Sequence, residues 1–250
     1  MTLPPGTLDY KDVTAHSSQA RGASAPRPRL LTRALLALAG TVAAVPLAAA
    51  ADSAPSLAGS PPWFANQVGG AQQVVAVAGD QTGHANVEVW GKYNGQWWSM
   101  TGPLSGHIGS AGVADVASED VPATPTGVFS LPWAFGTEPA PATALPYHRT
   151  GPNDWWVADV NSPLYNQFQT CAPGSCPFNE SKSERLDVPA YALAVVIGVN
   201  PQHVPGAGSA YFLHLDGDGP TAGCVAISEA DLRSLITWLR PGAVMAVQGS

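Results

Sequence analysis

The residue pattern with the clearest chemistry is a cysteine that follows a histidine by ten residues. Cys224 comes directly after Thr221-Ala222-Gly223, and His214 stands at the end of a strand-like run. The segment between them, residues 216–220, is turn sequence that would fold the two runs back on each other. A histidine beside a thiol takes its proton, and the thiolate then attacks a carbonyl carbon. The pattern favours a Cys/His acyl-transfer site over its alternative, a buried structural cysteine.

The residues around the thiol add two expectations. The backbone N–H groups of Gly223 and Cys224 are candidates for stabilising a tetrahedral oxyanion. A thiol paired with His214 should also react faster than free cysteine at mildly acidic pH, whereas a buried core cysteine should react only on unfolding.

The other two cysteines favour a structural role. Cys171 and Cys176 flank a Pro-Gly bend in CAPGSC, and we expect a disulfide between them if the protein is exported. The alternative is a zinc site that also includes His214 and Cys224. The chain has no CxxC spacing, and about forty residues separate the pair from His214. We therefore predict no metal and no cofactor.

The elements that must hold these residues are mostly strands. Turn residues separate the β-type runs at 72–79, 85–93, 127–136, 155–160, 191–199, 209–215 and 243–247. Asn94-Gly95 predicts a two-residue hairpin turn. One helix is predicted to begin after Ser228, with Asp231 completing the cap and an apolar stripe running to Leu239.

Composition and charge narrow the class of protein. Of 250 residues 26 are Gly and 24 are Pro, and charged residues make up only 12%, which argues against a coiled coil or a helical bundle. Residues 1–51 contain five basic and two acidic residues, a net charge of +3, while residues 52–250 contain six and sixteen, a net charge of −10. A domain at −10 repels a phosphate backbone, so we expect no nucleic-acid partner.

The N-terminal part resembles an export signal. Residues 27–51 carry basic residues, then an apolar stretch, then a run of alanines, which is typical of a secretory signal peptide. An uncleaved membrane anchor is the alternative, although the apolar stretch is shorter than the roughly 20 residues of a spanning helix. We predict a polar extension and signal at residues 1–51, a Ser/Pro/Ala-rich linker at 52–71 and a catalytic domain at 72–250, located outside the cytoplasm with no other membrane contact.

Several segments together are similar to one enzyme family. GSAYFLHLDGDGPTAGCVAIS resembles the active-site signature of the L,D-transpeptidase (YkuD-like) catalytic domain. EDVPATPTGVFSL resembles that family's TPxG stretch, and both DWWVADVNSPLYN and CAPGSC resemble segments of one subgroup. Ala222 and Ala226 replace a His and an Asn of the commoner signature, which implies a divergent branch. The resemblance covers residues 72–248.

The resemblance implies a role for each matching residue. Cys224 would be the nucleophile, His214 the general base and acid, and Gly223 with Cys224 the oxyanion hole. The implied substrate-binding residues are Thr221, Tyr165, Asn166 and Tyr211.

The resemblance also implies a fold and a reaction. The fold would be mainly β, a sandwich with one C-terminal helix and the nucleophile on a loop between two strands. The enzyme would cross-link peptidoglycan stem peptides through a Cys224 acyl-enzyme and release terminal D-alanine, and a carbapenem would acylate the same thiol. Two alternatives remain: an L,D-carboxypeptidase or amidase that uses the same dyad, and a non-catalytic wall module whose paired tryptophans (97–98 and 155–156) bind glycan.

Overall fold

The structure, a computed structural model, describes residues 55–217 and 219–250. The predicted signal and polar extension at residues 1–51 lie outside the described residues. Within the described part, none of the helices combines the length and the apolar character that crossing a bilayer requires.

The chain is mainly β, as the sequence predicts. The strands are, in chain order, β1 (Ser56–Leu57), β2 (Gln73–Gly79), β3 (His84–Tyr93), β4 (Gln96–Ser99), β5 (Leu104–His107), β6 (Val113–Ala114), β7 (Thr124–Pro125), β8 (Gly127–Ser130), β9 (Ala134–Gly136), β10 (Tyr147–Arg149), β11 (Asp154–Trp156), β12 (Phe168–Thr170), β13 (Glu184–Arg185), β14 (Ala194–Val196), β15 (Phe212–Leu215), β16 (Val225–Ile227) and β17 (Val244–Gly249). Short 3₁₀ helices cover Glu180–Lys182 and Pro189–Tyr191, and the α-helix α1 covers Glu229–Trp238.

Most strands belong to one curled, mixed sheet. Its order is β10-β9-β14-β15-β16-β5-β3-β2-β17-β8, and β4 pairs with both β3 and β1. The ten-residue strand β3 pairs with β2 along one edge, and it shares its other edge between β5 and β4. The predicted sandwich is thus built largely from a single sheet that curls over its own core.

Local sequence accounts for the turn and the helix. Asn94 and Gly95 have φ values of 50° and 79°, and a two-residue hairpin turn needs positive φ at both central positions. Ser228 caps α1, because its hydroxyl accepts a hydrogen bond from the Asp231 N–H at 3.2 Å. Both predictions are confirmed.

Three neighbouring strands carry the site. β14 runs antiparallel to β15, and β15 runs parallel to β16 with His214 opposite Ala226. Side chains alternate along a strand, so Leu213 and Val225 pack into the main core. Phe212 and Cys224 belong to a second apolar cluster.

A small sheet packs over this second cluster. Its order is β12-β11-β13, and we call it the cap sheet. Trp156 of β11 lies edge-on to Phe212, with ring centroids 5.1 Å apart, and Leu186, directly after β13, joins the same cluster. The cap sheet thereby covers the strand face that bears Cys224.

Part of the predicted linker is packed onto the main sheet. Phe64 is fully buried against Trp97, at a ring-centroid distance of 5.1 Å, and Val68 joins the same apolar cluster. These two side chains are apolar exceptions within a Ser/Pro/Ala-rich stretch, and burying them gains hydrophobic free energy.

Candidate active site

Cys224 lies immediately before β16 and is 8% exposed. Its Sγ–H donates to the Ala210 carbonyl at 3.4 Å, and its Sγ accepts from the Phe212 N–H at 3.3 Å. Burial raises the pKa of the thiol well above its usual range, and the charge of Glu184 raises it further. At rest the thiol is therefore neutral and bonded to the backbone. The raised pKa argues against the expected fast reaction at mildly acidic pH, which stays a prediction.

His214 lies on β15 and faces the same region as Cys224. It lies two residues beyond Phe212, the β15 residue that is level with Cys224. Its Nδ1 lies 2.8 Å from the Leu215 carbonyl oxygen. A carbonyl only accepts hydrogen bonds, so Nδ1 carries the proton and Nε2 presents a lone pair. Burial lowers the pKa of His214, which keeps the ring neutral and able to act as a base.

Asp216, close in sequence, does not orient this ring. Its carboxylate instead pairs with His107 Nδ1 at 2.7 Å. The orienting group for His214 is thus a main-chain carbonyl.

The turn before Cys224 is held by its own threonine. Thr221 Oγ1 donates to the Cys224 carbonyl at 2.6 Å and accepts from the Gly223 N–H at 3.0 Å. The second bond occupies one of the two predicted oxyanion donors and leaves the Cys224 N–H as the stronger candidate. Thr221, predicted to bind substrate, thus has an internal role in this turn as well as a place on a cavity wall.

Gly223 is required by its backbone conformation and by a close neighbour. Its φ is +146°, and a Cβ there would lie 2.8 Å from the Tyr211 ring. A residue with a side chain would therefore be strained and would also push against Tyr211.

Thr124, the first residue of the TPTG stretch, is a positioning residue that sequence reasoning missed. Its buried Oγ1 donates to the Gly223 carbonyl at 2.8 Å and accepts from the Gly109 N–H at 2.9 Å. The first of these bonds ties the turn at residues 221–223 to β7. The TPTG motif was the available signal, but it did not indicate this contact.

Two cavities meet at Cys224. The larger, about 470 Å³, is lined by Cys224, His214, Tyr191, Glu184 and the turn at Pro220-Thr221. The smaller, about 120 Å³, is lined by Cys224, Gly223, Tyr211, Ser209, Glu119 and Glu184. We call them the histidine cavity and the acidic cavity. The Cys224 thiol thus borders two cavities with different lining residues.

Both glutamates accept hydrogen bonds from tyrosines. The Tyr165 hydroxyl donates to Glu119, and the Tyr191 hydroxyl donates to Glu184. Burial raises the pKa of Glu184, and burial together with Glu119 raises that of Tyr165. Neither glutamate was predicted, because no motif in the sequence links either one to Cys224.

The remaining predicted substrate residues occupy three different positions. Tyr211 lines the acidic cavity, and burial raises its pKa to about 12. Tyr165 is buried, and its hydroxyl donates to Glu119 of the acidic cavity.

Asn166 is buried in a hydrogen-bond hub. Its Oδ1 accepts from Trp156 Nε1 at 2.8 Å and from the Ala210 N–H at 3.3 Å, and its Nδ2 donates to the carbonyls of Val199 and Asn200. Ala210 has a φ of 55° and supplies the carbonyl that holds Cys224. Asn166 therefore supports the nucleophile through Ala210, and it lines neither cavity.

The other singled-out residues lie outside both cavities. The sulfur atoms of Cys171 and Cys176 are 2.02 Å apart, at bonding distance. Trp97, Trp155 and Trp156 are buried, so each doubled tryptophan offers at most one partly exposed ring.

The comparison with protein families agrees with this geometry. The model of the L,D-transpeptidase catalytic domain (YkuD) matches residues 80–247, two thirds of the chain. No curated protein and no solved structure gives a significant match. The matched range includes His214, Cys224, Thr124 and every residue named as lining the two cavities. The chain therefore belongs to the L,D-transpeptidase catalytic domain family.

Proposed function

We propose that this protein is an exported cysteine L,D-transpeptidase that cross-links peptidoglycan stem peptides. The observation that carries the proposal is the placement of Cys224, directly before β16, and of a neutral, Nδ1-protonated His214 on the adjacent parallel strand β15, both lining one cavity of about 470 Å³. That volume is within the range of small-molecule sites in proteins. The proposal includes the signal at residues 1–51, the linker from residue 52, the catalytic domain from 72 and the Cys171–Cys176 disulfide of an extracytoplasmic protein.

The first half-reaction would form the acyl-enzyme. The Cys224 Sγ–H leaves the Ala210 carbonyl and transfers its proton to His214 Nε2, and the sulfur attacks the carbonyl carbon of the third stem residue. The Cys224 N–H stabilises the resulting oxyanion. The carbon–nitrogen bond then breaks, and the departing D-alanine takes the proton from His214.

The second half-reaction would restore the thiol. An amine of a neighbouring stem attacks the thioester and gives a proton to His214, which returns it to the sulfur as the carbon–sulfur bond breaks. Since His214 exchanges a proton with both the leaving and the entering amine, both must occupy the histidine cavity. Because the pKa of the thiol is raised, the proton moves from Cys224 to His214 only during the reaction, and the two groups do not form an ion pair at rest.

A carbapenem tests the proposal, because it acylates the nucleophile of this family. We expect intact-protein mass spectrometry to show one added inhibitor mass, mapped to Cys224 by peptide digestion. Cys224→Ser should abolish the adduct, and circular dichroism should show that the variant is folded. A folded, reduced wild-type protein that gains no mass would contradict the proposal.

Product analysis separates transfer from hydrolysis. Incubation with a stem tetrapeptide should release D-alanine and yield a cross-linked dimer when a second peptide carries a free amine. Release of D-alanine with tripeptide as the sole product would instead indicate an L,D-carboxypeptidase.

A further inference from the structure

The carbonyl that orients His214 lies at the end of its strand. It belongs to Leu215, the last residue of β15, and the chain then leaves the sheet. The N–H of Asp216 donates to the Ile227 carbonyl at 2.8 Å, which extends the pairing of β15 with β16 by one bond. Strand ends open more readily than strand centres, so this carbonyl needs a further anchor to keep a fixed direction.

A side-chain hydrogen bond supplies that anchor. Asp216 Oδ1 lies 2.7 Å from Nδ1 of His107, the last residue of β5. A carboxylate only accepts hydrogen bonds, so Nδ1 of His107 carries the proton and donates it. The two side chains are 19% and 27% exposed, so solvent screens the bond only in part. The peptide group between Leu215 and Asp216 is thereby tied to a second strand.

The order of the strands makes this bond possible. β16 lies between β15 and β5, and its Ala226 is level with His214 on one side and with His107 on the other. Residues opposite one another share a face of the sheet, and Asp216 shares it too, because it follows His214 by two residues. Ala226 bears only a methyl group, which leaves room for Asp216 to reach across β16 to His107.

Asp216 also acts on the charge of the base. Burial lowers the pKa of His214, whereas the bond to the Leu215 carbonyl and the charge of Asp216 both raise it. Asp216 therefore stabilises the imidazolium that forms when His214 takes a proton. Among the described residues, the other titratable side chains of the histidine cavity are Tyr191, Cys224 and Glu184.

We propose that His107 and Asp216 are positioning residues of the reaction, which hold the Leu215 carbonyl and, through it, the His214 ring with Nε2 free to take a proton. The inference rests on the proposed function, since it concerns the same proton transfer. His107 lines neither cavity, so it acts only through Asp216. A displacement of about 1 Å in a catalytic group is enough to slow a reaction about a hundredfold, so the anchor of the base matters to the rate.

Nuclear magnetic resonance tests the position of the ring without any turnover. Proton–nitrogen correlation spectra of the protein with isotope-labelled histidine report the tautomer and the pKa of His214, whose signals are assigned by their loss in His214→Gln. We expect a single Nδ1–H tautomer in the wild type. His107→Phe keeps an aromatic ring but removes the donor, so the Nε2–H tautomer should appear. Asp216→Asn removes the charge, so the pKa of His214 should decrease.

Carbapenem acylation of Cys224 measures the consequence for the reaction. His107→Phe should be acylated about tenfold more slowly than the wild type, because the base is held less firmly. His107→Gln again offers an N–H donor and should recover part of the rate. In Asp216→Asn, the acidic limb of the pH–rate profile should move to lower pH together with the pKa of His214.

Two matched controls separate this role from general effects of the substitutions. His84→Gln removes a neighbouring ring, whose centroid lies 5.0 Å from that of His107, and leaves the bond to Asp216 in place. Asp115→Asn removes the charge of an exposed aspartate outside both cavities. Both variants should match the wild type in the tautomer and pKa of His214 and in the rate of acylation.

Three outcomes decide between the two proposals. A His107→Phe variant with the wild-type tautomer and rate would overturn the inference. If circular dichroism shows that this variant is unfolded, Asp216→Asn at its exposed position carries the test, and an unchanged pKa of His214 would overturn the inference there. A tautomer that responds to His107→Phe in a protein that forms no carbapenem adduct would count against the proposed function and leave the positioning role intact.

Discussion

The two cavities at Cys224 differ in size and in how the chain builds them. The histidine cavity is about four times larger, and a single stretch, residues 214–224, supplies most of its wall. The acidic cavity is assembled from four separate segments, around residues 119, 158, 184 and 209–211, together with residues 222–224. The comparison indicates that the histidine cavity is encoded locally, whereas the acidic cavity depends on tertiary folding.

Removing the imidazole of His214 should have the largest effect on the rate at which Cys224 is acylated. His214→Gln keeps a polar side chain of similar size but removes the base, so acylation of Cys224 by a carbapenem should slow by about 10²–10⁴-fold. The rate of mass gain measures the effect.

His84→Gln is the control for this substitution, since His84 is an exposed histidine outside both cavities. It should acylate at the wild-type rate. A His214→Gln rate close to that of the control would remove His214 from the mechanism.

A change at the wall of the acidic cavity should have an intermediate effect. Gly223→Ala introduces a Cβ at a φ of +146°, 2.8 Å from the Tyr211 ring. We expect a loss of about 2 kcal/mol in the free energy of unfolding, measured by urea denaturation. Gly217→Ala, where a Cβ meets open space, should change stability by less than about 0.5 kcal/mol. Similar stabilities for the two variants would contradict the close approach of Gly223 to Tyr211.

The smallest expected effect is on the pH dependence of Cys224 alkylation. Burial raises the pKa of the Cys224 thiol and lowers that of His214, so no thiolate–imidazolium pair exists at rest. Native Cys224 should therefore react with iodoacetamide more slowly than free cysteine at pH 6–8, and its rate should still be rising above about pH 8.5, where free cysteine is half ionised.

The same shift affects stability. The folded protein keeps this proton after the unfolded chain has released it, so the free energy of unfolding should decrease as the pH rises above about 8.5. Cys224→Ser should remove that decrease. Faster alkylation than free cysteine at pH 6 would instead indicate a resting ion pair with His214.

Much of the fold was predictable because its signals are local. Asn94-Gly95 defines a hairpin turn, and Ser228 with Asp231 defines a helix start. A continuous apolar run defines β2, and alternating side chains define β3. The linker prediction, which relied on composition, did not anticipate the burial of Phe64, because composition averages over single apolar anchors.

The site was predictable only in part, because only some of its residues are close together in the sequence. Cys224 and His214 stand ten residues apart, so one turn brings them to neighbouring strands. Glu119 and Glu184 are sixty-five residues apart, and no periodicity links them. The hydrogen bond from Thr124 to the Gly223 carbonyl spans ninety-nine residues and likewise has no local signal.

The position of β17 determines when the sheet can be completed. This strand follows all other described strands in the chain, yet it lies between β2 and β8, parallel to β2 over six residue pairs. Until β17 has been synthesised, one edge of β2 and one edge of β8 stay unpaired. The native sheet can therefore be completed only after residues 244–249 have been made.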